Sequence, residues 1–167
     1  YTGKMLKNFF AEKYGCKFLN ESFPIGFDET KNWLMSVGGF FGKKEKALEI
    51  ILQNEALYKK EVERLKPSLS GKKLMIITYN HSLDWILMAA MDVGIEIVKI
   101  GILNFSQDSG FRTNLGTSFN VEENYDKEKR MSDFAKYCPD IVLTNYESSV
   151  NSGEYLSDTI PMCPDVG

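Results

Sequence analysis

The sequence predicts an α/β fold: a Rossmann-like three-layer domain with an open, mostly parallel sheet and helices on both faces. Three observations carry this. A continuous apolar run over 74–78 reads as a strand buried on both faces, with 95–102 the next buried strand and 141–144 a third core strand. Helical segments fall between these runs, and strand–helix–strand repetition implies right-handed crossovers and therefore parallel pairing. Polar clusters follow the first and third runs, as expected where strands end at one rim of an open sheet.

The first part of the chain is helical. Met5, Leu6, Phe9, Phe10 and Tyr14 share one helical face, and Gly15 suits the stop. A short strand is expected at 17–19, then a turn at Phe23-Pro24-Ile25-Gly26. Asp28 offers an N-cap to a helix carrying Trp33, Leu34, Val37, Phe40 and Phe41, weakened by Gly38-Gly39 and broken at Gly42. A long helix is expected over 44–66, with Leu48, Ile51, Leu52, Tyr58, Val62 and Leu65 inward and Pro67 ending it.

From Ser70 onward the pattern changes. After the 74–78 strand, Ser82 is placed to cap a helix over 83–93 that stops at Gly94, with Asp84 favourable in its first turn. The stretch 104–116 holds too many turn formers for regular structure. A short edge strand at 119–121, a helix over 126–137, the 141–144 strand, a weak helix around 149–156 and a last strand at 159–162 complete the reading. The expected strand order sets the segments around 119, 97, 76, 142 and 160 side by side. The helical segment 1–67 would flank the strand–helix–strand core at 68–167, all within one Rossmann-like domain.

Composition bounds the function. The chain has 167 residues, 43% hydrophobic and 26% charged, which suits one ordinary domain and excludes the disordered classes. A net charge of -3 gives no electrostatic reason to expect nucleic acid as partner. No apolar run approaches the roughly 20 residues that cross a bilayer, so no membrane association is expected. Cys16, Cys138 and Cys163 are too scattered for a disulfide framework or a metal knuckle, which fits reduced thiols in the cytoplasm. A single histidine, His81, excludes a multi-histidine metal site within the chain. The chain opens on Tyr1-Thr2-Gly3-Lys4 and closes on a Pro-rich stretch, as expected of a domain excised from a longer protein.

In an open parallel sheet the ligand crevice lies beyond the carboxyl ends of strands where their order reverses, here between the strands ending at Thr78 and Thr144. The candidate binding residues on these loops are Tyr79, Asn80, His81 and Ser82, then Phe105 on the loop after Gly101, then Asn145 and Glu147. His81 with Glu147 is a possible acid–base pair if the two loops face each other. Neither GxGxxG nor GxxxxGK[ST] follows any strand, so a dinucleotide or P-loop site is not expected. Trp33, Trp85 and the phenylalanines read as core.

The succession of motifs resembles one family over essentially the whole chain. Phe10-Ala11-Glu12-Lys13-Tyr14-Gly15, Glu21-Ser22-Phe23-Pro24-Ile25-Gly26, Thr30-Lys31 with Trp33-Leu34, Leu69-Ser70-Gly71-Lys72-Lys73, Asp92-Val93-Gly94-Ile95-Glu96-Ile97-Val98 and Pro139-Asp140-Ile141-Val142 resemble, in order, an internal domain of nitrogenase component 1-type oxidoreductases. The resemblance implies a piece of a larger cytoplasmic, oxygen-sensitive reductase with an iron–sulfur-type metallocluster, none being expected in this chain alone. It implies as partners the other domains of its own chain, a homologous component 1 subunit and an ATP-hydrolysing iron–sulfur reductase. In the family, the loop matching 79–82 carries a glycine pair and then an arginine at the cluster. Here those positions read Tyr79-Asn80 and Ser82, which implies a divergent oxidoreductase or cluster-scaffold relative. Two other readings stay open: a metal-chelate or tetrapyrrole binding module built around His81, and a non-catalytic docking domain.

Overall fold

A computed structural model describes residues 2–19, 24–103, 110–145 and 156–159. The strands are β1 (Lys73–Thr78), β2 (Glu96–Ile102), β3 (Val121–Glu123), β4 (Ile141–Thr144) and β5 (Leu156–Thr159). They form one sheet in the order β3-β2-β1-β4-β5, with every neighbouring pair parallel. The spatial order is therefore the one the sequence predicts, although β3 lies two residues later than expected and β5 three residues earlier. Of the helix expected around 149–156, residues 149–155 lie outside the described residues and Leu156 opens β5; 160–162 also lie outside them.

Alternation along β1 builds the layers. Leu74 and Ile76 face one side of the sheet, where they pack with Ile86, Leu87 and Ala90 of α4 (Asp84–Asp92) and with Ile100 and Ile102. Met75 and Ile77 face the other side, with Val142, Tyr125 and Phe134 of α5 (Arg130–Tyr137). Side chains of successive strand residues point to opposite faces, so a strand this apolar must be covered twice. Each fully buried Leu or Ile of this set contributes about 1.5–3 kcal/mol by leaving water.

Close approach decides one position on β2. A Cβ on Gly101 would lie 2.6 Å from Cγ of Tyr125, so the Tyr125 ring packs directly over backbone that only glycine leaves bare. The ring is then held by its hydroxyl, which donates to Asp133 Oδ2 at 2.9 Å. Among the described residues Lys99 of β2 is the one charged residue that is buried, and its Nζ donates to Glu122 Oε2 at 2.8 Å.

The chain divides into two compact units, Tyr1–Glu55 and Ala56–Gly167, with the boundary inside α3 (Lys44–Leu69). The first holds α1 (Thr2–Tyr14), α2 (Phe27–Phe40) and the start of α3. There α2 and α3 approach at Gly38, where an added Cβ would lie 2.6 Å from Ala47 Cβ. Ile51 of α3 is buried and Tyr58, Val62 and Leu65 are half-buried as expected, whereas Leu48 and Leu52 are exposed and Ala47 is buried in their place. The apolar residues Met5, Leu6, Phe9, Phe10 and Tyr14 of α1 are also exposed, with the rings of Phe9, Phe10 and Tyr14 in edge-on and tilted contact.

Several local expectations are corrected. Residues 17–19 form no strand. Asp28 lies inside the first turn of α2 rather than at its cap, which is Gly26; Thr30 Oγ1 donates to Gly26 O at 2.7 Å and Glu29 accepts from Ile25 N at 2.9 Å. Pro67 does not end α3, which runs two residues further, because a proline in the last turn removes only one exposed hydrogen bond. The helix instead stops before Gly71, at φ 78. Ser82 does not cap α4: Leu83 holds the N-cap position without a side-chain bond. Asp126 does act as a cap, accepting from Glu128 N at 3.0 Å, but it opens a 3-10 turn at Lys127–Lys129 before α5 begins.

Candidate functional site

The order β3-β2-β1-β4-β5 means that the chain leaves β1 toward one side of the sheet and returns to β4 on the other. The carboxyl ends of β1 and β4 therefore flank the point where strand order reverses, which is where open α/β sheets bind ligands. Ile77 pairs with Thr144 at this rim, and Thr78 and Thr144 are both buried.

A short hydrogen-bond network joins the two loops. Tyr79 N donates to Asn145 Oδ1 at 3.0 Å, and Asn145 Nδ2 donates to Asn80 Oδ1 at 3.3 Å. Asn80 N donates to Thr78 Oγ1 at 3.0 Å, bending the chain away from β1 as it leaves the sheet. Lys127 Nζ reaches the Tyr79 hydroxyl at 3.0 Å and lies 5.3 Å from the ring centroid, setting a cation at the same rim. Tyr79, Asn80 and Asn145 are thus brought together at one rim.

His81 and Ser82 follow on the same loop. His81 is half-buried, with both ring nitrogens shielded from solvent, and its carbonyl accepts from Arg112 N at 2.9 Å. Ser82 is exposed and forms an isolated parallel bridge with Arg112. Asp84 does more than favour the helix dipole: its Oδ2 accepts from Asn114 N at 2.7 Å, while its buried Oδ1 has no hydrogen-bond partner among the described residues. Phe105 and Glu147 lie outside the described residues, and with them the proposed pairing of His81 with Glu147.

Lys127, Arg112 and Glu123 enter this neighbourhood without any sequence motif announcing them. Each is separated from 79–82 by at least thirty residues of chain, and only the strand order brings them close. Lys127 sits on the turn that Asp126 caps, the single local signal for it.

Carboxylates also pin the sheet away from the rim. Asp140 Oδ2 accepts from Lys73 N and its Oδ1 from Lys72 Nζ, both at 2.9 Å. The Lys73 N–H, and then Lys72, hold the Asp140 carboxyl below the usual carboxylate range. Glu122 is likewise depressed, first by its bond from Lys129 and then by that from Lys99. Lys129 is raised in turn by Glu122.

The chemistry of the donor set bears on any bound metallocluster. Among the described residues no three His, Cys, Asp or Glu side chains gather to hold a metal. Cys16 and Cys138 are exposed. What the rim offers among the described residues is amides, a phenol, one imidazole and cations: the amides and cations hydrogen-bond the outside of a bound species, and a single imidazole falls short of a ligand set. These residues fit the lining of such a group and not its ligand set. No helix among the described residues is long and apolar enough to cross a membrane.

The family model described as Nitrogenase component 1 type Oxidoreductase matches residues 1–167. The chain is 25% identical over 149 residues to a nitrogenase molybdenum-iron protein alpha chain of Methanothermobacter thermautotrophicus, covering 86% of the chain and 30% of the relative. It is 26% identical over 162 residues to the nitrogenase iron-molybdenum cofactor biosynthesis protein NifE of Methanococcus maripaludis, covering 91% and 32%. It is 24% identical over 136 residues to light-independent protochlorophyllide reductase subunit N of a Bradyrhizobium species, covering 79% and 32%. Among solved structures, nitrogenase Cp1 at pH 6.5 matches with a TM-score of 0.62 at 11% identity, over 81% of the chain and 38% of that structure's chain, which establishes the likeness of fold. The chain spans about a third of the length of the curated relatives it matches.

Proposed function

Because the chain belongs to the nitrogenase component 1 type oxidoreductase family, we propose that its carboxyl-end loops help line a metallocluster or substrate cavity in a longer oxidoreductase. The observation that carries this reading is the amide network joining Tyr79, Asn80 and Asn145 at the point where strand order reverses. Such a network holds two loops at fixed separation, which is what a cavity wall requires. The group, when bound, supplies the low-potential electron chemistry. Tyr79, Asn80, His81, Ser82 and Asn145 orient it and shield it from water, with Phe105 and Glu147 assigned to the same wall. Its ligands come from outside the described residues.

The same reading assigns the parent protein an ATP-coupled reduction in the cytoplasm. Its partners are the remaining domains of the longer chain, a homologous component 1 subunit and an ATP-hydrolysing iron–sulfur reductase. The test is anaerobic purification of the full-length protein with and without His81→Ala and Asn145→Ala. A lining role predicts altered absorption and electron paramagnetic resonance spectra at unchanged iron content. Spectra identical to the parent in both variants would remove these loops from the cavity and favour a docking domain.

A second reading is supported by the relative named as a protochlorophyllide reductase subunit. Here the rim holds a tetrapyrrole or another metal chelate, with His81 as the central contact. Titration of the chain with zinc protoporphyrin separates the two: tight binding that His81→Ala abolishes favours the binding module.

A further inference from the structure

We propose that Arg112 is the anion-binding residue of the carboxyl-end rim, and that it takes an oxyanion, a carboxylate or phosphate, on the species bound there. This rests on the reading that the rim faces a bound group, and adds the charge that recognises it. The segment 110–116 is tied down almost entirely through its main chain. Phe111 N donates to Glu123 Oε1 at 2.8 Å, Arg112 N to His81 O at 2.9 Å, and Asn114 N to Asp84 Oδ2 at 2.7 Å. Phe111 and Leu115 pack on the core cluster of Leu74, Ile76 and α4, which fixes the same segment from below.

These bonds set Arg112 directly opposite Ser82 as its parallel bridge partner. Bridge partners project their side chains to the same side, and both residues are exposed, so the guanidinium stands beside the 79–82 loop. The two carboxylates that hold the segment are engaged by backbone N–H groups, not by the arginine. Among the described residues the guanidinium takes no hydrogen-bond or ion-pair partner. A planar fork of donors held beside a candidate binding loop, with Glu123 and Asp84 each bonded to a backbone N–H rather than to it, is arranged for a two-oxygen anion. Lys127 on Tyr79 adds a second positive charge at the same rim.

The experiment titrates the isotopically labelled full chain with succinate and, separately, with inorganic phosphate at low ionic strength, following amide and Arg Nε–H resonances. The expected result is saturable shifts at Ser82 and Arg112 with at least one anion, the better ligand naming the source chemistry. Arg112→Gln should weaken the apparent affinity about tenfold or more, the loss expected for a charge-assisted bidentate bond. Arg112→Lys should keep part of it. Both substitutions leave the segment's main-chain bonds in place, so the fold is retained. Glu123→Ala, which frees Phe111 N, should weaken binding although the arginine remains. Three results would overturn the proposal: no saturable shift with either anion, shifts mapping away from 79–82 and 112, or Arg112→Gln binding like the parent. The titration needs no cluster, so its failure leaves the cavity-lining reading intact, and loss of that reading leaves this one measurable.

Discussion

Asn145, the first residue after β4, accepts the backbone N–H of Tyr79, the first residue after β1, at 3.0 Å. One side chain thereby ties the two loops that flank the reversal of strand order, and its other end reaches Asn80. Asn145→Ala should leave the half-buried Tyr79 N–H and Asn80 Oδ1 without these partners. The expected cost is about 1–3 kcal/mol in urea unfolding. Asn145→Asp, which keeps the acceptor for Tyr79 N, should recover much of it. Equal midpoints for Asn145→Ala and the parent would remove the network from the stability of the rim.

The Tyr125 ring lies over Gly101 with no room for a methyl group. Gly101→Ala should destabilise by about 1–3 kcal/mol through overpacking in the centre of the sheet. Pairing it with Tyr125→Ala should cost less than the sum of the two single changes, because the contact being relieved is shared. Strict additivity in a denaturant double-mutant cycle would show that the ring moves aside freely.

Acid should unfold the protein through two identified carboxylates. Asp140 and Glu122 are both held below the usual range by cationic and backbone donors. A depressed carboxyl stabilises the fold above its unfolded pKa, about 4, and loses that contribution as pH falls through the lower folded value. Urea midpoints should therefore be flat near neutrality and decline below about pH 4. Glu122→Gln should flatten part of that decline and lower stability at neutral pH, since Lys99, with only 7% of its side chain exposed, then faces a neutral group. An unchanged acid profile in Glu122→Gln would assign the effect elsewhere.

In the first unit, Gly38 of α2 packs against Ala47 of α3 with no room for a methyl group. Gly38→Ala gains helix propensity, worth about 1 kcal/mol on an exposed surface. The clash with Ala47 should outweigh it and give net destabilisation, read by faster hydrogen exchange across 36–50. Slower exchange there would mean that the helices separate at no cost.

Much of this protein is legible along the chain. Residues 74–77, 100–102 and 142 are apolar without a polar alternate, and such a strand has nowhere stable to lie except inside a parallel sheet covered on both faces. Gly15, Gly42 and Gly94 stop helices at φ 65, 65 and 80, as their position after an apolar period implies. The departures are local. Ser82 looks like a cap but bridges Arg112 thirty residues on, Asp28 lies inside a helix that local bonds of Glu29 and Thr30 start earlier, at Gly26, and Pro67 is tolerated because the bond it removes lies at a solvent-facing helix end.

The candidate rim divides along the same line. Apolar patterning was enough to dictate the three central strands, their parallel sense, and that Tyr79, Asn80 and Asn145 emerge at one end of the sheet. Burial of side chains is a one-dimensional signal, repeating every two or 3.6 residues. Which polar groups meet across that rim carries no such period. Lys127 on Tyr79, Arg112 beside Ser82, and Asp84 and Glu123 gripping the main chain of 111–114 all join residues at least a dozen positions apart. Those meetings follow from the packing of the folded chain, because hydrogen bonds and charges act over a few ångströms and are satisfied only once the strands have set the distances.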